Sequence, residues 1–90
     1  AIQADVVAKE TLGANFMLRL RRMYPDALRE RYKIEPDDEL NGYELLEAAA
    51  RKRGFLVSRG EYDIERMANT LLNEYHDGKL GRLTLETPDE

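Results

Sequence analysis

The sequence has no cysteine, no tryptophan, one histidine, two phenylalanines and three prolines. Without cysteine there is no disulfide framework, no thiolate metal site and no cysteine nucleophile, so packing alone has to hold the fold. A single histidine, His76, cannot build a metal site, and no carboxylate stands three or four residues from it to help. No apolar run approaches the roughly 20 residues a membrane span requires. The N-terminal stretch Ala1 to Val7 lacks the positive start and long apolar centre of a signal peptide. A phosphate-binding glycine loop is missing, Gly78-Lys79-Leu80-Gly81 is too short to cradle a nucleotide, and Ser58 lies outside any nucleophile elbow. Asp37 and Asp38 form an acidic pair with no base or nucleophile beside them. These absences predict no catalytic residues, no metal and no enzyme activity in this chain.

What is present describes one helix-rich, soluble globular domain over residues 1–90. Hydrophobic residues make up 42% and charged residues 36% of the sequence. A chain of this size hides only about 60 to 65% of its unfolded surface, which places it near the small end of self-sufficient domains. The start at Ala1, without methionine, reads as a piece trimmed from something longer.

The net charge is −4, yet the signs are separated along the chain. Arg19, Arg21, Arg22, Arg29, Arg31 and Lys33 face only Asp26 and Glu30 in their stretch, and Arg51 to Arg59 contains no acid. The acids gather at Glu35 to Glu47, Glu61 to Glu65 and Glu86 to Glu90. Such segregation lets an acidic molecule present a local positive field.

Periodicity sets the elements. Ala8, Leu12, Phe16, Leu20 and Met23 recur at three and four and are expected on one buried helix face. Gly13 weakens the middle of that pattern by about 1 kcal/mol relative to alanine, so one long helix or two short ones are both open. Tyr24-Pro25 ends it and starts a short helix to Tyr32, because proline suits a first helical position and disfavours helical dihedrals before it. Lys33 to Leu40 reads as a polar loop. Asn41 with Glu44 three residues on forms a capping box for a helix to about Arg53, with Leu45, Leu46, Ala49 and Ala50 inward and Gly54 as its left-handed end. Phe55-Leu56-Val57 is an apolar connector before the turn Ser58-Arg59-Gly60-Glu61. Asp63 caps a last helix whose Ile64, Met67, Ala68, Leu71, Leu72 and Tyr75 make a regular apolar stripe, closed by Gly78. Leu83 and Leu85 then alternate with polar residues as a short extended segment, and Thr87 to Glu90 is a frayed tail.

Two basic turns stand out, one with Arg51, Lys52, Arg53 and Arg59 and the other with Lys79 and Arg82. The arginines of the first helix are expected to pair with acids of neighbouring elements. Phe16, Phe55 and Tyr75 are expected in the core, Tyr43 and Tyr62 partly exposed.

In combination, Arg22-Met23-Tyr24-Pro25, Leu28-Arg29-Glu30-Arg31-Tyr32, Tyr43-Glu44-Leu45-Leu46-Glu47-Ala48, Arg51-Lys52-Arg53-Gly54, Gly60-Glu61-Tyr62-Asp63 and Gly78-Lys79-Leu80-Gly81-Arg82-Leu83-Thr84-Leu85-Glu86 resemble the C-terminal domain of the ribosome biogenesis GTPase A family. The chain departs from that pattern at Arg59-Gly60, where two glycines are common, and at Tyr75-His76, where a Phe-Arg pair is common. The resemblance implies an all-α bundle of four to five helices, similar to the RNA-binding ANTAR domain, that follows a GTPase domain absent from this chain. It implies a cytoplasmic protein whose GTP and magnesium belong to the missing part. Its partners would be rRNA, the immature large ribosomal subunit and the N-terminal GTPase domain, with no membrane. Arg51, Lys52, Arg53, Arg59, Lys79 and Arg82 are the expected phosphate contacts, giving a domain that binds rRNA during late large-subunit assembly. The alternative is a protein interaction module docking a ribosomal protein or the GTPase domain through apolar residues near Tyr43, Phe55 or Tyr62. A stand-alone ANTAR-type signalling domain acting on a transcript is a third possibility.

Overall fold

Proline at position 25 and left-handed glycines at 54 and 78 divide the chain into four α-helices, in a computed structural model that describes residues 2–81. They are α1 (Ile2–Met23), α2 (Pro25–Arg31), α3 (Gly42–Arg53) and α4 (Ile64–His76), with one 3-10 turn among the described residues, at Ser58–Gly60. The protein is a small all-α bundle. α1 packs against each of the other three helices, and α3 packs on α4. Arg82, Leu83, Leu85 and the tail 87–90 lie outside the described residues.

Local chemistry sets the boundaries. Pro25 occupies the first turn of α2, as its missing amide and fixed φ allow. Asn41 accepts from the Glu44 amide while Glu44 accepts from the Asn41 amide, both at 2.8 Å, so the α3 capping box is complete. Asp63 accepts from the Arg66 amide at 3.0 Å and starts α4. α3 ends with Gly54 at φ 70°, its amide donating to Arg51 and the Phe55 amide to Ala50. α4 repeats this, with Gly78 at φ 77° donating to Tyr75 and Lys79 donating to Glu74. Both are six-to-one closures that satisfy carbonyls a helix end would otherwise leave open.

Leu45, Leu46, Ala49 and Ala50 of α3 are fully buried, as are Met67, Ala68 and Leu71 of α4 and Leu28 of α2. Each buried leucine contributes roughly 1.5 to 3 kcal/mol of transfer free energy.

α1 departs from the expected pattern. It is one continuous helix through Gly13, and its deepest face is Gly13, Ala14, Met17 and Leu20. Ala8 and Leu12 are exposed, Leu12 at 57%, while Phe16 and Met23 are half-buried. The reason is close approach. A Cβ on Gly13 would stand 2.7 Å from the Ala68 Cβ, and one on Gly42 would run into the Ala14 carbonyl. Small residues let α1 lie close to both α3 and α4, and that contact selects the face. Gly13, which weakens the isolated helix, is therefore required by the packing. The loop after α2 is less polar than expected, since Ile34 is buried in the core.

Candidate nucleic-acid interface

The α3 end leads into a short hairpin. Leu56 bridges Tyr62, the Val57 amide donates to Glu61 and the Asp63 amide to Phe55. At its tip both Arg59 (φ 76°) and Gly60 (φ 77°) are left-handed, a conformation natural for glycine and uncommon for arginine. Leu56 and Val57, expected as an apolar connector, are exposed.

Aromatic rings at the base of the hairpin carry arginines. The Arg51 guanidinium lies 5.3 Å from the Tyr62 ring centroid, and that of Arg66 lies 3.9 Å from the Phe55 centroid. Both are cation–π distances. The rings are half-buried and the arginines exposed. Lys52, Arg59 and Lys79 are exposed as well. Among the described residues no carboxylate pairs with the side chains of Arg51, Lys52, Arg59, Arg66 or Lys79.

Arg53 differs from its two neighbours. It turns inward over the Tyr32 ring and donates to Glu74 at 2.8 and 3.1 Å. Arg31 adds two bonds to the same carboxylate, at 3.1 and 3.2 Å, and the Tyr32 hydroxyl a third donor at 2.8 Å. Glu74 is only 8% exposed. Burial alone would raise its pKa, but the hydrogen bonds from Arg31, Arg53 and Tyr32 outweigh that and hold it down at about 2. Burial, reinforced by Glu74, pushes the Tyr32 phenol well above its ordinary range. Glu74 thus ties α2, α3 and α4 together, and its carbonyl accepts from Lys79 in the second basic turn. Glu74 therefore joins the two basic turns, its carboxylate holding Arg53 and its backbone carbonyl the Lys79 amide.

Of the expected phosphate contacts, Arg51, Lys52, Arg59 and Lys79 are thus solvent-facing, Arg53 is engaged inside, and Arg82 is outside the described residues. Arg66 was not foreseen; it lies off the apolar stripe of α4 and finds Phe55 only once the hairpin folds back. On α1, Arg21 donates to the carbonyls of Asp37 and Leu40, at 2.8 and 2.5 Å, and pairs with Asp38 at 3.5 Å. A cavity of about 390 Å³ is lined there by Leu18, Arg19, Arg21, Arg22 and Asp38. Tyr43 is exposed and its hydroxyl bonds to that of Thr11 at 2.9 Å. Phe16 and Tyr75 pack edge to face, half-buried, with centroids 4.8 Å apart. His76 is exposed. Among the described residues no group of acids or histidines could hold a metal, and no helix is long and apolar enough to cross a membrane.

Comparison with known proteins gives relatives along the whole chain. It is 32% identical over 92 residues to a protein named ribosome biogenesis GTPase A from Bacillus cereus, covering 100% of this chain and 30% of that protein. The protein of the same name from Priestia megaterium is 28% identical over 92 residues, covering 100% of this chain and 31% of its own length. An uncharacterized GTP-binding protein from Methanocaldococcus jannaschii is 49% identical over 37 residues, 41% of this chain and 10% of that protein. The chain therefore spans less than a third of the length of these curated relatives. No protein-family model and no solved structure matches it.

Proposed function

We propose that this chain is the C-terminal domain of a ribosome biogenesis GTPase and that it binds rRNA during late assembly of the large ribosomal subunit. In this reading the domain does no chemistry itself. GTP and magnesium are handled by the rest of the protein, in the cytoplasm, and the bundle holds that protein on the immature subunit. A likeness to RNA-binding ANTAR domains belongs to the same reading.

The observation that supports it is the set of exposed cations on the α3 end, the hairpin and the turn after α4, which no carboxylate pairs among the described residues. Unpaired arginines and lysines on helix ends and tight turns suit phosphate contacts, which add affinity by displacing counterions. Arg51, Lys52, Arg59 and Lys79 fill that role, with Arg66 added and Arg82 retained from the sequence. Arg53 takes a bracing part through Glu74.

The test is binding to immature large ribosomal subunits at two or more salt concentrations, for the native chain and for a variant with Arg51, Lys52 and Arg59 changed to alanine. With about four phosphate contacts, affinity should fall with salt at a log–log slope of about −3. The variant should bind more weakly and with a shallower slope. A slope near zero would overturn the phosphate reading.

A second reading rests on the exposed Leu56 and Val57, 56% and 41% accessible, beside the basic residues. A protein partner, either a ribosomal protein or the GTPase domain, would use these side chains. Substituting Leu56 and Val57 with serine would then abolish binding while salt had little effect.

A further inference from the structure

We infer that the hairpin of residues 55–62 takes unpaired nucleotides of RNA in preference to duplex, by stacking bases on the outer faces of the Arg51 and Arg66 guanidinium groups. This rests on the RNA-binding reading above and specifies the form of RNA that the surface takes.

The argument begins with the rings. Tyr62 and Phe55 cannot receive a base themselves, because each is half-buried and an arginine lies against it. The arginine on each ring is exposed. A guanidinium is planar and weakly hydrated, so each of its two flat faces can take a stacking partner. At 3.9 Å from the Phe55 centroid, the Arg66 group is in van der Waals contact with the ring. The backbone beneath it is fixed too, since the Arg66 amide is held by the Asp63 cap. Arg51 stands on the last turn of α3, which Gly54 and Phe55 close.

Such faces suit a particular ligand. In duplex RNA both faces of every base are covered by neighbours, and the deep, narrow major groove excludes side chains. Unpaired bases in loops and bulges are free to stack on aromatic rings or arginine planes. Stacking tolerates any base, so it gives a preference for single strands without reading sequence. Around the two stacks, Lys52 and Arg59 supply phosphate partners, and Leu56 and Val57 supply exposed apolar surface. An acidic protein segment would take the N–H edges of these arginines and leave their flat faces unused.

That difference sets the experiment. Binding of the chain is measured at the same three salt concentrations to a 12-nucleotide single-stranded RNA and to an RNA duplex of the same length, for the native sequence and for Arg51→Lys with Arg66→Lys. Lysine keeps the charge and loses the plane. The native chain should bind the single strand at least about fivefold more tightly. The double variant should lose that preference and keep its salt slope. Equal native affinity for the two RNAs, or a preference that survives both substitutions, overturns the stacking inference and leaves RNA binding intact. Binding to neither RNA, including the case where polyglutamate is captured instead, overturns the inference together with the RNA reading. Both positions are exposed, and circular dichroism checks that the variant retains its helices; the two single variants give the same readout should the double one unfold.

Discussion

The Arg53 guanidinium meets the Glu74 carboxylate edge to edge, Nη1 donating to Oε2 at 2.8 Å and Nη2 to Oε1 at 3.1 Å. One residue of a basic triplet is thereby bound to α4 while its neighbours Arg51 and Lys52 face solvent. The pair is a fork-to-fork contact of the kind arginine makes well and lysine cannot. With Arg31 and Tyr32 on the same carboxylate, its loss should be felt throughout the bundle.

Glu74→Ala should destabilise the chain by about 2 to 3 kcal/mol, because two arginines and a buried hydroxyl lose their common acceptor. For a domain of this size that corresponds to a fall of roughly 10 to 20 °C in Tm. Thermal unfolding followed by circular dichroism checks it. A change below about 3 °C would mean that water replaces the carboxylate without loss.

Acid should undo the same contact. The pKa of Glu74 is depressed in the folded state, from 4.5 to about 2, so its contribution is complete above about pH 4.5. That contribution, at most about 3 kcal/mol, declines as pH falls from 4.5 towards 2. Glu74→Gln removes the titration. The stability difference between native and Gln chains should therefore be constant near neutrality and shrink across that acid window, as read from urea midpoints at several pH values.

Gly13→Ala should lower stability, although alanine favours an isolated helix by about 1 kcal/mol over glycine. The added methyl would meet Ala68 at 2.7 Å and force α1 and α4 apart. Overpacking of this kind costs about 1 to 3 kcal/mol. Combining it with Ala68→Gly should recover part of the loss, so a double-mutant cycle should give a favourable coupling of at least about 0.5 kcal/mol. Strict additivity would show that the two helices do not constrain one another there.

Arg59→Gly should separate stability from binding. At φ 76° arginine holds a conformation that costs a side-chain-bearing residue roughly 1 kcal/mol, partly offset in glycine by its freer unfolded chain. A gain of about 0.5 kcal/mol is expected, with a loss of about one unit from the salt slope of RNA binding. A gain in stability with an unchanged slope would remove Arg59 from the phosphate contacts.

What could be read from the sequence was local. Asn41 with Glu44, Asp63, Gly54 and Gly78 act within a few residues of themselves, and the structure places each as the sequence indicates. The face of α1 was not legible, because Gly13 and Ala14 contribute little hydrophobic weight and matter only for how closely another helix can approach. Glu74 was hidden for a different reason. It occupies the apolar stripe after Met67 and Leu71, and its partners are 21, 42 and 43 residues away in sequence. Arg53 carried a usable sign. Successive residues of a helix are about 100° apart, so three in a row cannot share one face. The position four residues after buried Ala49 is the one that points inward.

The closure of α3 by Gly54 and Phe55 has a kinetic side. Arg51 and Lys52 stand on a turn whose Ala50 and Arg51 carbonyls already accept from Gly54 and Phe55, so a partner arriving there meets a backbone that has lost its freedom during folding. Only the long side chains remain to be immobilised, at about 0.5 to 1.5 kcal/mol each. Loop-borne cations would require ordering of the main chain as well. Encounter and capture therefore need no rearrangement of the helix end, and complex formation should follow a single fast phase whose rate rises in proportion to partner concentration.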